Sequence, residues 1–226
     1  MKIVAIVQAR LNSTRLPNKV LLKIGKKSII EIISDKLKKS KSINNYLFCI
    51  PNDKSNDFLR KYLIQKKINF FLGKNENVLD RYYQSAKKFK ADIVVRLTAD
   101  NPLLDINLMD EMIREFRKSK IDFLDNNSPS TFPDGLDVEI FNFKSLEIAK
   151  KNARSKFDQE HVTTFIKKSK LIKRKNFYSK KDLSKFRFTL DEEQDYKNFM
   201  FAYEELKTKI LDWKSLISLI NKNKKY

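Results

Sequence analysis

Donors suited to phosphate are concentrated in the segment Gln8–Lys19, QARLNSTRLPNK, which directly follows an apolar run. The side chains that could contact an anion are Arg10, Ser13, Thr14, Arg15 and Lys19. Fixed positive charge together with a loop of backbone N–H groups is what a polyphosphate needs for binding. The alternative is a solvated basic loop, because surface loops are polar in general. The segment is therefore a candidate phosphate-binding loop.

Two carboxylates follow predicted strands and could serve as metal ligands. Asp100 comes shortly after the run Asp92–Leu97, and Asp191 closes the run Phe186–Leu190. A carboxylate at the carboxyl end of a strand, facing a phosphate loop, is a hard oxygen ligand suited to Mg²⁺ bound to a triphosphate. Asp191 also precedes a predicted helix, so helix capping is its alternative role. Asp105 is predicted to lie at a helix start.

A further pair of acids, Asp137 and Glu139, alternates with apolar residues. Alternation places both acids on one face of a predicted strand, where they bind acceptor hydroxyl groups, share in metal binding or face solvent. Arg96 lies within a predicted strand and either points into the site or pairs with an internal acid. His161 is the only histidine and Cys49 the only cysteine, which excludes a zinc cluster and metal sites built on several histidines.

The elements that would position these residues alternate between short apolar runs and segments of helical period, which predicts an α/β fold with a mainly parallel sheet. Strands are predicted at Ile3–Val7, Tyr46–Ile50, Asn69–Leu72, Asp92–Leu97, Val138–Phe141, Leu171–Phe177 and Phe186–Leu190. Helices are predicted at Ser28–Lys39, Asn56–Lys66, Val78–Lys88, Asn107–Lys118, Gln159–Lys168, Glu192–Leu206 and Trp213–Asn221. Because ligands bind at the carboxyl ends of the strands in open α/β sheets, the phosphate loop lies at the expected edge.

Composition is consistent with one domain over residues 1–226 and a lysine-rich tail from about residue 220. The 48 Lys and Arg residues against 28 Asp and Glu residues give a net charge of +20, which raises the alternative of a basic nucleic-acid-binding protein. However, the lysines are spread along the whole chain rather than concentrated in one segment. Apolar runs are too short to span a membrane, and a cytoplasmic location is predicted.

Six motifs follow one another along the chain: the loop at Gln8–Lys19, VLDRYY at Val78–Tyr83, RLTADNPLLD at Arg96–Asp105, PDGLDVEIF at Pro133–Phe141, QEHVT at Gln159–Thr163 and FTLDEEQDY at Phe188–Tyr196. In this order they resemble the motifs of the sugar cytidylyltransferases, and most closely those of the spore coat polysaccharide biosynthesis type. The CMP-KDO and acylneuraminate cytidylyltransferases are related to these. The sequence has Asn12, Asn18 and Ala99 where the family commonly has glycine. Of these residues, asparagine tolerates a positive φ better than most.

The resemblance implies a nucleotide-diphospho-sugar-transferase-like, Rossmann-like domain that transfers CMP from CTP to a sugar or sugar-acid acceptor. Pyrophosphate would be released, in surface polysaccharide or glycoconjugate biosynthesis. It implies catalytic roles for Arg15, Lys19 and Asp100, and nucleotide binding by Arg10, Ser13, Thr14, Arg15 and Lys19. It also implies Mg²⁺ on Asp100 and Asp191, and acceptor binding by Asp137, Glu139, Glu160 and His161.

The resemblance further implies a homodimer formed through the Asn126–Phe141 region and its surroundings, and a mobile lid is the alternative role for the polar, proline-containing stretch there. A glycosyltransferase that uses a nucleotide-sugar donor is the alternative enzyme, because it would share a similar sheet and a metal-binding aspartate. The phosphate loop with Lys19 favours a nucleotidyltransferase, since a nucleotide-sugar has no triphosphate to hold.

Overall fold

The computed structural model of the protein describes residues 1–207 and 211–222. Within these residues a seven-stranded sheet has the order β5-β4-β1-β6-β8-β7-β9. Its strands are β1 (Ile3–Gln8), β4 (Asn45–Pro51), β5 (Phe70–Gly73), β6 (Ile93–Thr98), β7 (Phe123–Asp125), β8 (Glu139–Asn142) and β9 (Arg174–Asn176). A small antiparallel hairpin is formed by β2 (Lys23–Ile24) and β3 (Lys27–Ser28). The predicted α/β fold with a mainly parallel sheet is confirmed.

Helices cover both faces of this sheet, because the central strand β1 is apolar on both sides. Ile3, Ala5 and Val7 pack in one core, whereas Val4 and Ile6 pack in the other. The first core includes residues of α1 (Ile29–Leu37), α2 (Asp57–Gln65), α4 (Ile106–Lys118), α8 (Glu193–Leu206) and α9 (Trp213–Lys222). The second includes residues of α3 (Val78–Lys88), α5 (Phe143–Asn152) and α7 (Thr164–Lys168), and also Val162, which directly follows α6 (Lys156–His161).

The reversed strand β8 determines what the sheet presents at its functional edge. β8 is antiparallel to β6 and to β7, whereas β1, β4, β5 and β6 run parallel to one another. Because β8 runs backwards, its first residue lies where its neighbours end, and Glu139 pairs in register with Arg96 and with Asp125. The carboxyl end of β1, which leads into the Gln8–Lys19 loop, lies at the same edge.

Several predicted elements need correction. Phe186–Leu190 is not a strand of the sheet, and Arg187 makes only an isolated bridge with Asp134. The predicted helix Gln159–Lys168 is interrupted at Val162, whose φ of 58° and ψ of −60° are not helical. The prediction Leu171–Phe177 was too long, since only Arg174–Asn176 is a strand.

Three elements were not predicted at all: β7, helix α5 and the β2–β3 hairpin. β7 and the hairpin strands have two or three residues each, too few for a periodic pattern to show. Helix α5 buries only Ser145, Leu146 and Ala149, so its apolar face is narrow. The lysine-rich tail lies mostly outside the described residues. No helix within the described ranges is long and apolar enough to cross a membrane.

Candidate functional site

The loop after β1 is anchored by one buried residue, Leu11. The Leu11 carbonyl accepts the backbone N–H groups of Ser13 at 2.8 Å and Asn18 at 3.0 Å, which draws the two ends of the loop together. The Leu11 N–H donates to the side-chain carbonyl of buried Asn56 at 2.9 Å. A buried leucine with its amide and carbonyl both satisfied fixes the base of the loop, while Thr14 stays exposed above it.

This loop offers unused donors to an anion. Within the described chain, the backbone N–H groups of Asn12, Thr14 and Arg15 have no hydrogen-bond acceptor. Arg10 is exposed and makes no ion pair with a described residue. Free N–H groups on a curved loop, next to a guanidinium, form the type of concave surface that binds phosphate oxygens. Ser13 is half-buried, and its hydroxyl oxygen accepts the Leu16 N–H at 3.4 Å.

Asn18, at a family glycine position, adopts a left-handed conformation. Its φ is 58° and its ψ is 18°, and the 3-10 helix Lys19–Leu21 begins directly after it. Asn12 and Ala99, the other two residues at family glycine positions, are not among the described residues with positive φ. The turn at Asn18 aims Lys19 back across the sheet edge, while the next residue, Val20, is buried in the core.

The ammonium of Lys19 lies between the two predicted metal ligands. Its Nζ is 3.0 Å from Oδ2 of Asp100 and 2.8 Å from Oδ1 of Asp191. The Lys19 side chain is only 12% exposed, against 31% for Asp100 and 20% for Asp191. Residues 19, 100 and 191, which are remote in the sequence, therefore meet in one cluster at the carboxyl edge of β1 and β6.

Backbone pairing brings Asp191 to this position. The Leu190 N–H donates to the Asp100 carbonyl at 2.8 Å, which places the two aspartates side by side. The helix-capping alternative for Asp191 is wrong, because α8 starts with a capping box of Glu192 and Asp195. The Asp191 carboxylate faces cations instead: Lys19, then Arg15 at 3.2 Å and Arg187 at 3.5 Å. Burial acts to raise the pKa of Asp191, but these three cations together lower it below its ordinary value.

Arg187 organises the acidic residues around this cluster. Its guanidinium donates to both oxygens of Asp195, at 2.6 and 3.1 Å, and lies 3.8 Å from Asp134. Asp134 is held to the same segment by backbone bonds to Phe186 and Phe188. The following residue, Gly135, has a φ of 99°, and a Cβ there would lie 2.6 Å from the Phe188 backbone. Only glycine fits this close approach.

The residues present fit a magnesium ion bound to a nucleotide. Asp100 and Asp191 each place an oxygen within 3.0 Å of one cationic centre, the Lys19 ammonium. Within residues 1–207 and 211–222 no group of three or more His, Cys, Asp or Glu side chains could hold a metal alone. Mg²⁺ commonly takes one or two carboxylates and completes its shell with phosphates and water, which two aspartates beside a phosphate loop allow.

A second charged cluster lies at the start of β8. Arg96 Nη1 donates to Glu139 Oε2 at 2.6 Å, and Lys167 Nζ donates to Glu139 Oε1 at 2.7 Å. The hydroxyl of Thr163 lies 3.0 Å from each Glu139 oxygen, and Lys167 is also 3.0 Å from Asp125. Arg96 therefore pairs with an internal acid. Glu139 is 3% exposed and is not a solvent-facing strand residue.

The two acids of this strand region differ in their ionisation. Burial acts to raise the pKa of Glu139, but Arg96 and Lys167 together lower it. At Asp137, burial and the neighbouring charges of Asp134 and Glu139 raise the pKa to about 6. Glu139 is thus a carboxylate committed to internal partners, whereas Asp137 is a carboxyl group with few stabilising contacts.

This difference predicts a pH-dependent stability. Because the pKa of Asp137 is about 6 in the folded state and 3.8 ordinarily, the folded protein binds the extra proton between these values. The free energy of unfolding should therefore fall as the pH rises from about 4 to 6. Asp137→Asn removes this loss, so the variant should be about 1–3 kcal/mol more stable than wild type at pH 7.5 and nearly equal at pH 4.

Urea unfolding at the two pH values measures the difference. Asp57→Asn, at an exposed position on α2, is the matched control and should change stability little at either pH. An Asp137→Asn variant less stable than wild type at pH 7.5 would contradict the assignment of a destabilised carboxylate.

The other two predicted acceptor residues lie apart from this cluster. Glu160 and His161 are exposed on α6, and neither side chain hydrogen-bonds to Asp137 or Glu139 in the described structure. The His161 ring packs on Phe157, with ring centroids 4.3 Å apart. From the same QEHVT motif, Thr163 is the residue that reaches Glu139.

Thr163 is positioned by a strained turn. The Thr163 N–H donates to the His161 carbonyl at 2.6 Å across Val162, whose φ of 58° and ψ of −60° define a classic γ-turn. This conformation is rare and costs a β-branched residue about 1–3 kcal/mol. Complete burial of the Val162 side chain offsets part of this cost.

The site includes four residues that the sequence did not single out: Arg187, Lys167, Thr163 and Asp125. Lys167 belongs to a lysine-rich run that resembles a solvated helix face, yet it bridges Asp125 and Glu139. Thr163 could have been found, since it closes the QEHVT motif. No local signal marks Arg187 or Asp125, because their partners are remote in the sequence.

Comparison with known proteins supports the same family. The Cytidylyltransferase family model matches residues 4–216. The spore coat polysaccharide biosynthesis protein SpsF of Bacillus subtilis is 30% identical, over 98% of this chain and 95% of its own length. The solved structure of a cytidylyltransferase from Leptospira borgpetersenii is 31% identical, with a TM-score of 0.92, over 99% of this chain and 95% of that one.

A more distant structure shows the shared fold. The CMP:2-keto-3-deoxy-manno-octonic acid synthetase complexed with CTP has a TM-score of 0.67 at 13% identity, over 91% of this chain and 100% of its own. At this identity only the fold is comparable. The family-model match over residues 4–216, together with the two relatives that are 30% and 31% identical over nearly the whole chain, shows that this chain belongs to the cytidylyltransferase family.

Proposed function

We propose that this protein transfers CMP from CTP to a sugar-type acceptor and releases pyrophosphate, in surface polysaccharide or glycoconjugate biosynthesis. The observation that carries the proposal is the meeting of Lys19, Asp100 and Asp191 beside a loop with unused backbone donors. A glycosyltransferase would need no such loop for a triphosphate. A basic nucleic-acid-binding protein would have no use for the paired aspartates.

In this reaction an acceptor hydroxyl oxygen forms a bond to the α-phosphorus of CTP, and the bond from that phosphorus to the pyrophosphate oxygen breaks. The hydroxyl proton leaves to solvent or to a nearby base. The chain has to hold the triphosphate in line and balance its charge, which are the main terms in phosphoryl-type transfer. Ser13, Thr14 and the loop N–H groups would bind the phosphate oxygens, with Arg10, Arg15 and Lys19 supplying positive charge.

Asp100 and Asp191 would hold the magnesium ion. When bound there, the ion would neutralise charge on the phosphate oxygens and help orient them. Both side chains are partly exposed and face the phosphate loop, so they can share the ion with a nucleotide.

The acceptor would bind over β6 and β8, next to the phosphates. Asp137 is half-buried there, and the charges of Asp134 and Glu139 act on it. Its carboxyl oxygens can accept hydrogen bonds from acceptor hydroxyls. Both carboxylate oxygens of Glu139 already accept hydrogen bonds from Arg96, Lys167 and Thr163. Its contribution to acceptor binding would therefore be to hold these side chains in position. Glu160 and His161 would contact only a larger acceptor, from the exposed face of α6.

The names of the relatives agree with this proposal. One is named for spore coat polysaccharide biosynthesis. Another, a 3-deoxy-manno-octulosonate cytidylyltransferase of Geobacter metallireducens, is 27% identical over half of this chain. A structural neighbour was solved in complex with CTP. These names support cytidyl transfer to a sugar.

CTP with Mg²⁺ should stabilise the protein more than ATP, GTP or UTP does. A ligand at about 100 times its dissociation constant adds ~2.7 kcal/mol to the free energy of unfolding. For a chain of this length the melting temperature should rise by roughly 5 to 10 °C. Thermal shift measurements with the four nucleotides, each with and without Mg²⁺, test this preference. Stabilisation by ATP or UTP but not by CTP would contradict the cytidyl part of the proposal.

A homodimer is a further part of the proposal. Strand β8 lies inside the sheet, so the accessible residues within Asn126–Phe141 are the loop from Asn127 to Thr131, exposed Asp134 and half-buried Asp137, and these would contact a partner. We expect a dimer mass by light scattering at micromolar concentration. A monomer mass at that concentration would exclude it.

A further inference from the structure

The position between the two aspartates is filled by a side chain of the protein itself. Lys19 Nζ contacts both Asp100 and Asp191, at 3.0 and 2.8 Å. No other hydrogen bond of this ammonium is found in the described structure. An ammonium at hydrogen-bond distance from both carboxylates and a divalent cation coordinated by the same carboxylates exclude each other by charge and by space.

Lys19 is the one cation in the described structure that contacts both aspartates. Arg187 directs its short contacts to Asp195, and Arg15 reaches only one oxygen of Asp191 while also contacting Glu192. No cation other than Lys19 contacts Asp100 within the described ranges. Without the ammonium, Asp100 would have no cation in contact within the described chain, Asp191 would keep only Arg15 and Arg187, and the like charges of the two neighbouring carboxylates would repel.

A bound triphosphate would change the balance for Lys19. The loop that holds Lys19 also presents the unused N–H groups of Asn12, Thr14 and Arg15, so phosphate oxygens bound there would lie close to the ammonium. Phosphate carries more charge than a single carboxylate and offers the ammonium new acceptors. The lysine stem is flexible, so the ammonium can move from the aspartates to the phosphates without a change of fold.

We propose that Lys19 acts as a substitute cation that holds Asp100 and Asp191 together until the triphosphate draws it away, so that these carboxylates take a divalent cation together with the nucleotide and not before it. The inference rests on the proposed function. It adds an order of binding: in the nucleotide-free protein Lys19 and the divalent cation compete, and in the nucleotide complex they cooperate.

Mn²⁺ binding measured by electron paramagnetic resonance tests the competition without an acceptor and without turnover. The full-length protein is titrated with Mn²⁺ alone, and the loss of the free-ion signal gives the dissociation constant. Lys19→Met keeps the length of the side chain and removes its charge, so Mn²⁺ alone should bind at least about tenfold more tightly than to wild type. Lys19→Arg keeps the charge and should bind Mn²⁺ alone as weakly as wild type.

Controls separate a local effect from a change in net charge. Lys26→Met removes one positive charge at an exposed position and should leave Mn²⁺ binding unchanged. The double variant Lys19→Met with Asp191→Asn should lose the increase in Mn²⁺ affinity that Lys19→Met alone produces. Melting curves establish that each variant is folded before titration.

The outcomes distinguish this inference from the function beneath it. In one outcome, wild type binds Mn²⁺ tightly when CTP is present, but Lys19→Met and wild type bind Mn²⁺ alone with equal affinity. This outcome overturns the exchange of Lys19 for the divalent cation between the two aspartates and leaves the proposed function standing. If wild type fails to bind Mn²⁺ even with CTP, the metal site itself is overturned, and this inference falls with it. Tighter binding of Mn²⁺ alone by Lys19→Met, with Lys26→Met and Lys19→Arg unchanged, supports the exchange.

Discussion

Asp191→Asn should lower the rate of pyrophosphate release by at least about a hundredfold while the protein remains folded. The Asp191 carboxylate does not cap α8, and its oxygens face Lys19, Arg15 and Arg187. The amide has nearly the same shape but carries no negative charge, so it is a poor ligand for Mg²⁺. Steady-state rates over a range of Mg²⁺ and Mn²⁺ concentrations measure the effect, and high metal should restore part of the activity.

A matched control for this variant is Asp57→Asn, which makes the same chemical change at an exposed residue of α2. Its rate should equal that of wild type. If Asp191→Asn keeps the wild-type rate at low Mg²⁺, Asp191 is not a metal ligand and Asp100 would have to hold the ion with the nucleotide alone.

Lys19→Ala should reduce activity by roughly two or more orders of magnitude. Its ammonium is placed to offset negative charge on the phosphates as the bond to pyrophosphate breaks. The structure adds an effect on stability that a solvated loop lysine would not have, because Asp100 and Asp191 lose the cation between them. We expect a loss of about 1–2 kcal/mol, since the pairs are partly exposed, and a melting temperature lower by roughly 2 to 8 °C.

The two effects of Lys19→Ala can be separated by pH. Burial acts to raise the pKa of Asp191, but Lys19, Arg15 and Arg187 hold it below its ordinary value of 3.8, so the difference in melting temperature from wild type should persist from pH 7 to about pH 4 and shrink only at lower pH. Lys26→Ala, which changes an exposed lysine, should alter neither quantity. An active and fully stable Lys19→Ala variant would contradict the assignment of Gln8–Lys19 as a phosphate-binding loop and favour a solvated basic loop instead.

The parts of this site that were predictable from sequence are those encoded locally. Strand ends followed directly by polar residues indicated the phosphate loop and Asp100, because periodicity fixes where a strand stops. The positive φ of Asn18 is compatible with its place at a family glycine position but was not predicted from it, because Asn12 and Ala99, at two other such positions, are not among the described residues with positive φ. Asp191 was found through its motif, although Phe186–Leu190 is not a sheet strand and reaches Asp100 by a single backbone bond.

The unpredicted parts depend on contacts between remote residues. The ion pairs of Glu139 join β8 to β6 and to α7, and they exist because β8 runs antiparallel to its neighbours. A single short strand carries no signal for its direction. The interruption of the predicted helix at Val162 was not predictable for a related reason. Valine does not indicate a positive φ in the sequence, and the packing of its buried side chain holds it in that conformation.

Mass spectrometry of the reaction product tests directly whether this protein transfers CMP to a sugar-type acceptor. The protein is incubated with Mg²⁺, each of the four nucleoside triphosphates and a panel of neutral, amino and acidic sugars, and pyrophosphate is measured in parallel. We predict a product in which CMP is joined to one of the acceptors. It should form when CTP is the nucleotide, and an equal amount of pyrophosphate should be released. A product that carries a different nucleotide, or a sugar transferred from a nucleotide-sugar without release of pyrophosphate, would contradict it.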